Sequence, residues 1–223
     1  MNTTLLIADD HAIFREAISL WLRQSAAVEV VGLAENGRMA AEMACTLRPD
    51  VVLMDATMPV MNGIDATRQI LLEWPDAKVV VLAEAVSGHL VKDALEAGAA
   101  GYISKCCQAV EVIRAIREVA SGGTYLSPAA NSVVVRNYLH DLQPMASCRA
   151  VPLTARERQI LQLIAEGYSI KEIGRELTRS PKTVDWHKSQ VMRKLGINTT
   201  AGLVRYAIAE GLTSADPVPL GIS

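Results

Sequence analysis

Five short apolar runs punctuate the first half of the chain: residues 4–8 (TLLIA), 28–33 (VEVVGL), 50–54 (DVVLM), 78–83 (KVVVLA) and 101–103 (GYI). Most are too continuously apolar to leave one face in water, the pattern of strands covered on both sides in a parallel sheet. Between them apolar residues return at helical spacing. Ile13, Ala17, Leu20 and Trp21 mark the inward face expected of the first helix, and Val91, Ala94 and Leu95 that of a later one, with Gly98 placed to end it. The alternation predicts a doubly wound α/β domain over residues 1–121, five βα units around a five-stranded parallel sheet. Its fifth helix is expected from about Gln108 to Ala120.

The periodicity stops at SGGTYLSPAA, where Gly122, Gly123 and Pro128 change the character of the chain. Residues 122–152 are therefore expected to be a linker, with a short helix over 132–140 inside it. Residues 153–211 are helical throughout in pattern and predict a four-helix, all-α second domain. Its punctuation is specific: Thr154 with Glu157 and Ser169 with Glu172 each fit a capping box, Ser180 precedes Pro181, and Gly196 closes that helix. Residues 212–223, ending SADPVPLGIS, are expected to form a flexible tail.

Composition supports two cores, since the chain has 223 residues of which half are apolar. Charge separates them. Residues 1–141 carry 11 Lys+Arg against 17 Asp+Glu, net -6, and residues 142–223 carry 11 against 7, net +4, so the halves are expected to meet different partners. No apolar run approaches the roughly 18 residues needed to span a bilayer, and MNTTLLIADD lacks the basic start and cleavage site of a signal peptide. A cytoplasmic protein without a membrane partner is expected. Cys45, Cys106, Cys107 and Cys148 show no metal-ligand spacing, so reduced thiols are expected, with neither zinc nor disulfide.

The candidate chemistry sits where the apolar runs end. Asp9 and Asp10 follow the first run and Asp55 ends the third, at the carboxyl ends of the expected strands, where open α/β sheets bind ligands. Three converging carboxylates repel one another unless one is protonated or a cation joins them. Oxygen-only donors on a small open site favour Mg2+, which keeps several waters and binds through about one or two carboxylates together with phosphate. Lys105, just after the fifth run, is positioned to join the ion in neutralising a phosphoryl group attacked by a carboxylate. For any one Asp, a helix cap or a solvated loop end is the simpler explanation.

The combination of DD after the first run, DxxMP after the third and GYISK through the fifth resembles the receiver domain of two-component response regulators. The resemblance implies that Asp55 is the phosphoacceptor and that Asp9, Asp10, Asp55 and the backbone carbonyl of Thr57 hold Mg2+. It also implies that Lys105 contacts the phosphoryl group and that Tyr102 is the aromatic switch residue. One position departs from the family pattern: Ala83 stands where receivers carry Thr or Ser, and a methyl group cannot hydrogen-bond a phosphoryl oxygen.

In SPKTVDWHKSQVMRKLG, residues 180–196, the spacing of Val184, His187, Val191 and Leu195 puts them on one helical face, expected to be inward. Lys182, Asp185, Trp186, Ser189 and Arg193 gather opposite, a polar and aromatic face that could enter a major groove. SIKEIGREL joins this helix through TRS, the short connection of a helix-turn-helix, with Gly174 permitting close packing. A small bundle with a solvated cationic face has the same pattern. The run LTARERQILQLIAEGYSIKEIGREL followed by TVDWHKSQVMRKLGI resembles the LuxR-type DNA-binding domain.

Together the halves resemble the NarL/FixJ group of response regulators. That implies base contacts from Asp185, Trp186 and Ser189, and phosphate contacts from Lys182, Thr183, Lys188 and Arg193. Asp185 stands where some relatives place a basic residue, so a different base preference is expected. Leu203, Val204, Ala207 and Ile208 form a stripe that in this group serves dimerisation, though a folded-back core helix would carry the same stripe. The implied partners are a sensor histidine kinase or a small phosphodonor, double-stranded promoter DNA, a second copy of the chain on DNA, and RNA polymerase. The protein is accordingly expected not to be an enzyme but a transcriptional regulator controlled by phosphorylation of Asp55. Two rivals stand beside it: a phosphorylation-independent regulator, which Ala83 favours, and a Mg2+-dependent phosphohydrolase, for which the chain shows no substrate-binding cap.

Overall fold

The computed structural model describes residues 2–24, 28–84, 86–141 and 153–213, which fall into two compact units divided at residues 144 and 145. The first unit alternates strand and helix: β1 (Thr3–Ala8), α1 (Ala12–Arg23), β2 (Val28–Ala34), α2 (Gly37–Leu47), β3 (Val51–Asp55), α3 (Gly63–Glu73), β4 (Val79–Ala83), α4 (Gly88–Glu96), β5 (Gly101–Ser104) and α5 (Ala109–Ala120). All strands run parallel, in the order β2-β1-β3-β4-β5 with one more strand beyond β5. Side chains alternate across the sheet as strand geometry requires. Leu6, Ala8, Val52 and Met54 face a core closed by α2, α3 and α4, while Leu5, Ile7, Val51 and Leu53 face one closed by α1 and α5. The strand order reverses between β1 and β3, opening a crevice at their carboxyl ends.

Three expectations need correction. On α1 the expected inward face is only partly inward: Ile13 is 87% and Leu20 66% exposed and Ala17 is exposed, while Trp21 packs on the core as expected, beside Phe14, Ile18 and Leu22. At 100° per residue the apolar arc of this helix spans more than half its circumference, and the sheet takes the other end of it. Secondly, the sheet has six strands, because β6 (Tyr125–Leu126) pairs with Gly101 and Tyr102 of β5. Helix α6 (Pro128–Asp141) follows, longer than the 132–140 expected, with Ala130 buried and Val133 and Val134 against the same core as α4. Residues 122–141 are thus part of the first unit and not a linker; residues 142–152, with Cys148, lie outside the described residues.

The described residues of the second unit form four helices: α7 (Ala155–Ala165), α8 (Ile170–Glu176), α9 (Pro181–Leu195) and α10 (Thr200–Ala209). Both capping boxes form, Ser180 caps α9 ahead of Pro181, and Gly196 ends it at φ 65° in the left-handed region. The third correction is at the end of this unit. Leu212 and Thr213, expected in the tail, are buried, and the Leu212 amide donates to the Ala207 carbonyl at 2.9 Å. The rest of the expected tail lies outside the described residues. No helix among them is long and apolar enough to cross a membrane.

Candidate functional site

The crevice at the end of β1 and β3 gathers the residues the carboxylate pattern singled out. Asp9 is fully buried and Asp55 is 3% exposed, each at the tip of an apolar strand that carries it there. Lys105 leaves β5 with its amide donating to the Ala83 carbonyl at 2.8 Å, which aims the side chain across the crevice. Its Nζ lies 2.8 Å from Asp9 Oδ2 and 2.8 Å from Asp55 Oδ2, and 5.1 Å from the centre of the Phe14 ring. Burial, with the Asp9 charge adding to it, pushes the Asp55 carboxyl up to about 7 against the opposing effect of Lys105. Burial alone would lower Lys105, but the Asp55 and Asp9 carboxylates outweigh it and hold the ammonium above its ordinary range.

These residues fit a divalent cation. Asp9 Oδ2 is buried with no aligned hydrogen-bond donor, only the nearby ammonium, and Asp10 stands partly exposed at the mouth. One donor atom from each of Asp9, Asp10, His11 and Asp55 lies within 4.8 Å of all the others. Three carboxylates facing one ammonium leave an excess of negative charge that a hard cation would neutralise. The Thr57 amide donates to Asp55 Oδ1 at 3.4 Å.

The loop after Asp55 is held by two glycines that the sequence reading passed over. A Cβ on Gly63 would lie 1.8 Å from the Asp55 carbonyl oxygen, and one on Gly37 would lie 2.2 Å from that of Met61. Only glycine lets the start of α3 press this closely on the tip of β3. Ala83 is buried beside the site and has no hydroxyl to offer. Tyr102 is fully buried in the core shared by α4 and α6, its carbonyl accepting from the Ser127 amide at 3.0 Å, and burial pushes its hydroxyl up to about 12.

In the second unit, α9 presents the expected outer face. Lys182, Asp185, Trp186, Ser189 and Arg193 are exposed, Trp186 by 57%, while Val184 and Val191 are buried. Ser189 donates to the Asp185 carbonyl and Arg193 to Gln190. Two of the expected phosphate contacts are partly engaged at home: Thr183 shares a 2.8 Å bond with Ser180, and Lys188 donates to Thr200 at 3.3 Å. His187 packs edge-on to Trp186 with Nδ1 buried and unpaired. A second group of cations, not singled out from the sequence, lies outside this face. Lys171, Arg175 and Arg179 line an open cleft of about 640 Å³ with Ser180 at the turn between α8 and α9, where Thr178 takes φ 51°. The signal was their i, i+4, i+8 spacing, which stacks cations along one side of α8 and its turn.

The α10 stripe divides. Leu203 and Ala207 are fully buried in the unit's own core, which removes them as dimer contacts and leaves Val204 partly buried and Ile208 37% exposed.

Residues 5–117 match the response regulator receiver domain family, and residues 151–207 match the luxR family of bacterial regulatory proteins. The transcriptional regulatory protein MctR of Rhizobium johnstonii is 37% identical over 210 residues, covering 94% of this chain and 95% of its own. The transcriptional regulatory protein DegU of Brevibacillus brevis is 36% identical over 220 residues, 93% of each chain. Among solved structures, the response regulator RcsB in complex with DNA is 25% identical, with TM-score 0.57, covering 92% of this chain and 98% of its own.

Proposed function

The chain belongs to the two-component response regulators that join a receiver domain to a luxR-type DNA-binding domain, and from that membership we propose that phosphorylation of Asp55 controls how it binds promoter DNA. The observation that carries this is the Lys105 ammonium held 2.8 Å from both Asp9 and Asp55 in a crevice otherwise lined by carboxylates. Asp9, Asp10, Asp55 and the Thr57 carbonyl would hold Mg2+, which would supply positive charge to neutralise the phosphoryl oxygens. An ionised Asp55 oxygen attacks phosphorus in line, the bond to the donor breaks, and the donor departs with its electron pair. Lys105 turns from the carboxylates to an oxygen of the new acyl phosphate. The donor is a phosphohistidine of a sensor kinase or a small phosphodonor.

On DNA, Asp185, Trp186 and Ser189 of α9 meet base edges, while Lys182, Thr183, Lys188 and Arg193 meet phosphates, joined by Lys171, Arg175 and Arg179. Two copies bind together, with Val204 and Ile208 of α10 as candidate contacts. RNA polymerase is the further partner by which binding would alter transcription. The phosphorylation-independent alternative has only Ala83 in its favour. Against a phosphohydrolase reading, the C-terminal helices match the luxR family of bacterial regulatory proteins.

The test is phosphate incorporation from a small phosphodonor into wild type and Asp55→Ala, with Mg2+ and with excess chelator, followed by DNA binding of each product. Incorporation should require both Asp55 and the cation, and incorporation that survives Asp55→Ala would sink the assignment.

A further inference from the structure

Phe14 is the only phenylalanine in the chain, and it stands in the first turn of α1 beside the crevice. Its half-buried ring packs on the core under α1 and α5. Two anchors fix its place. Ile18, Trp21 and Leu22 bury the following turns of the same helix, and Arg15 donates to the Asp9 carbonyl, tying the start of α1 to the tip of β1. The ring centre lies 5.1 Å from Lys105 Nζ, within range of the attraction between an ammonium and the negative face of an aromatic ring. The Lys105 side chain is only 10% exposed, so water screens that attraction little.

We infer that Phe14 is a positioning residue for Lys105, holding the ammonium over the crevice as it leaves the carboxylates for a phosphoryl oxygen; this rests on the reading of Asp55 as the phosphoacceptor. In the resting pocket, oxygens of Asp9 and Asp55 at 2.8 Å already hold the ammonium. The ring adds little there. Once an Asp55 oxygen is spent on phosphorus, the ammonium has two destinations, the phosphoryl group and bulk water. Its stem is flexible and its head strongly hydrated, so fixing it costs free energy. The ring lowers that cost by favouring the cation on the crevice side of α1. An interaction that gains weight as the carboxylate hold is lost stabilises transfer more than the ground state, which is the condition for raising a rate. The effect lies in the electron-rich face and not in the ring's bulk: leucine fills a similar space without a quadrupole.

Because the chain has a single phenylalanine, replacing that amino acid throughout the full-length protein with mono-, di- or trifluorophenylalanine alters this one ring. Fluorine withdraws electrons from the face and nearly keeps the shape, so the series stays informative even if Phe14→Leu folds poorly, which circular dichroism checks. With Mg2+ and a small phosphodonor, the rate of phosphate incorporation should fall stepwise, by about fivefold at trifluorophenylalanine and by a similar factor in Phe14→Leu. Phe14→Tyr keeps an electron-rich face and should keep the wild-type rate. Proton NMR gives a readout independent of turnover. The Lys105 εCH2 resonances, assigned by their absence from Lys105→Gln, should be shifted upfield by the ring and return to ordinary lysine positions in Phe14→Leu. A rate that is flat along the fluorinated series while Phe14→Leu is slow overturns the proposal and assigns the ring to packing. Unshifted Lys105 resonances in wild type overturn the contact itself. Incorporation that survives Asp55→Ala overturns the phosphoacceptor reading, and with it the role in transfer, even where the ring contact is seen.

Discussion

At the scale of the residue, Ala83 and Gly63 bear on the proposed phosphorylation site from opposite directions. Ala83 is buried next to the crevice and lends its carbonyl to Lys105, but its methyl group cannot follow a phosphoryl oxygen. A hydroxyl there would add a charge-assisted hydrogen bond contributing about 1.5 to 3 kcal/mol, comparable to an allosteric coupling of about 1 to 3 kcal/mol. Ala83→Thr should therefore increase the gain in DNA affinity on phosphorylation, measured as the ratio of dissociation constants with and without phosphodonor. An unchanged ratio would show that the switch runs through other contacts. Gly63 is constrained by backbone, not by a side chain that could move aside. Gly63→Ala should cost about 1 to 3 kcal/mol in denaturant unfolding and slow phosphate incorporation, because relief of the clash displaces the tip of β3. A variant with wild-type stability and rate would mean the loop yields without disturbing Asp55.

At the scale of the element, α9 does two jobs with two faces. Its outer face is proposed to separate positioning from reading. Lys182→Ala should weaken specific and random duplexes alike and reduce the log-log salt slope by about 0.9, since one phosphate contact is lost. Asp185→Ala should leave random-duplex affinity unchanged or higher while relaxing preference at one base pair, at a cost there of about 1 to 3 kcal/mol. Competition against single-base site variants distinguishes them, and the reverse assignment of effects would put another register of the helix in the groove. Toward the bundle, Lys194 ties α9 to α7 through a 2.6 Å pair with Glu157, whose Oε2 also accepts from the Thr154 amide. Burial raises this carboxyl, but Lys194 and Thr154 outweigh it and leave Glu157 below the ordinary carboxylate range. Because the folded state binds this proton less readily than the unfolded chain, the stabilisation is complete above the unfolded value of 4.5. It is lost as pH falls through the folded value. Glu157→Gln should thus cost about 1.5 to 3 kcal/mol at neutral pH, and its melting temperature should converge on that of wild type in acid. A gap that stays constant down to acid pH would assign the loss to packing.

At the scale of the whole molecule, the boundary of the receiver unit falls after α6 and not after α5. Strand β6 covers the edge of β5, and α6 closes the same core as α4 with Ala130 fully buried. Ala130→Asp would place an unpaired charge against that core, which is costly enough to peel the segment away. Hydrogen exchange should then quicken at Tyr125 and Ser127, whose amides donate to Ala100 and Tyr102 at 3.0 Å, while β1 and β3 stay protected. Equal quickening in all strands would mean that the segment is required for the unit to fold at all. Tyr102 lies beneath this cover, packed in the core shared by α4 and α6.

What the sequence determined by itself is local: the buried strands, the carboxylates at their tips, the caps of α7, α8 and α9, and the outward face of α9. Each follows from a period or a turn chemistry that a few neighbouring residues complete among themselves. The tertiary structure decided what depends on a surface contributed from elsewhere in the chain. The apolar arc of α1 was wide enough for two orientations, and only the sheet chose Phe14 and Leu22 over Ile13 and Leu20. Two residues at β6 carry too little pattern to announce a strand, but the open edge of β5 recruits them. The stripe of α10 looked the same whether it faced a partner or its own core, until α7 and α9 buried Leu203 and Ala207. His11 and Phe14 entered the acid pocket in the same way. Their identities were plain in the sequence, but their distances to Asp10 and Lys105 exist only once β1, α1 and β5 are packed together.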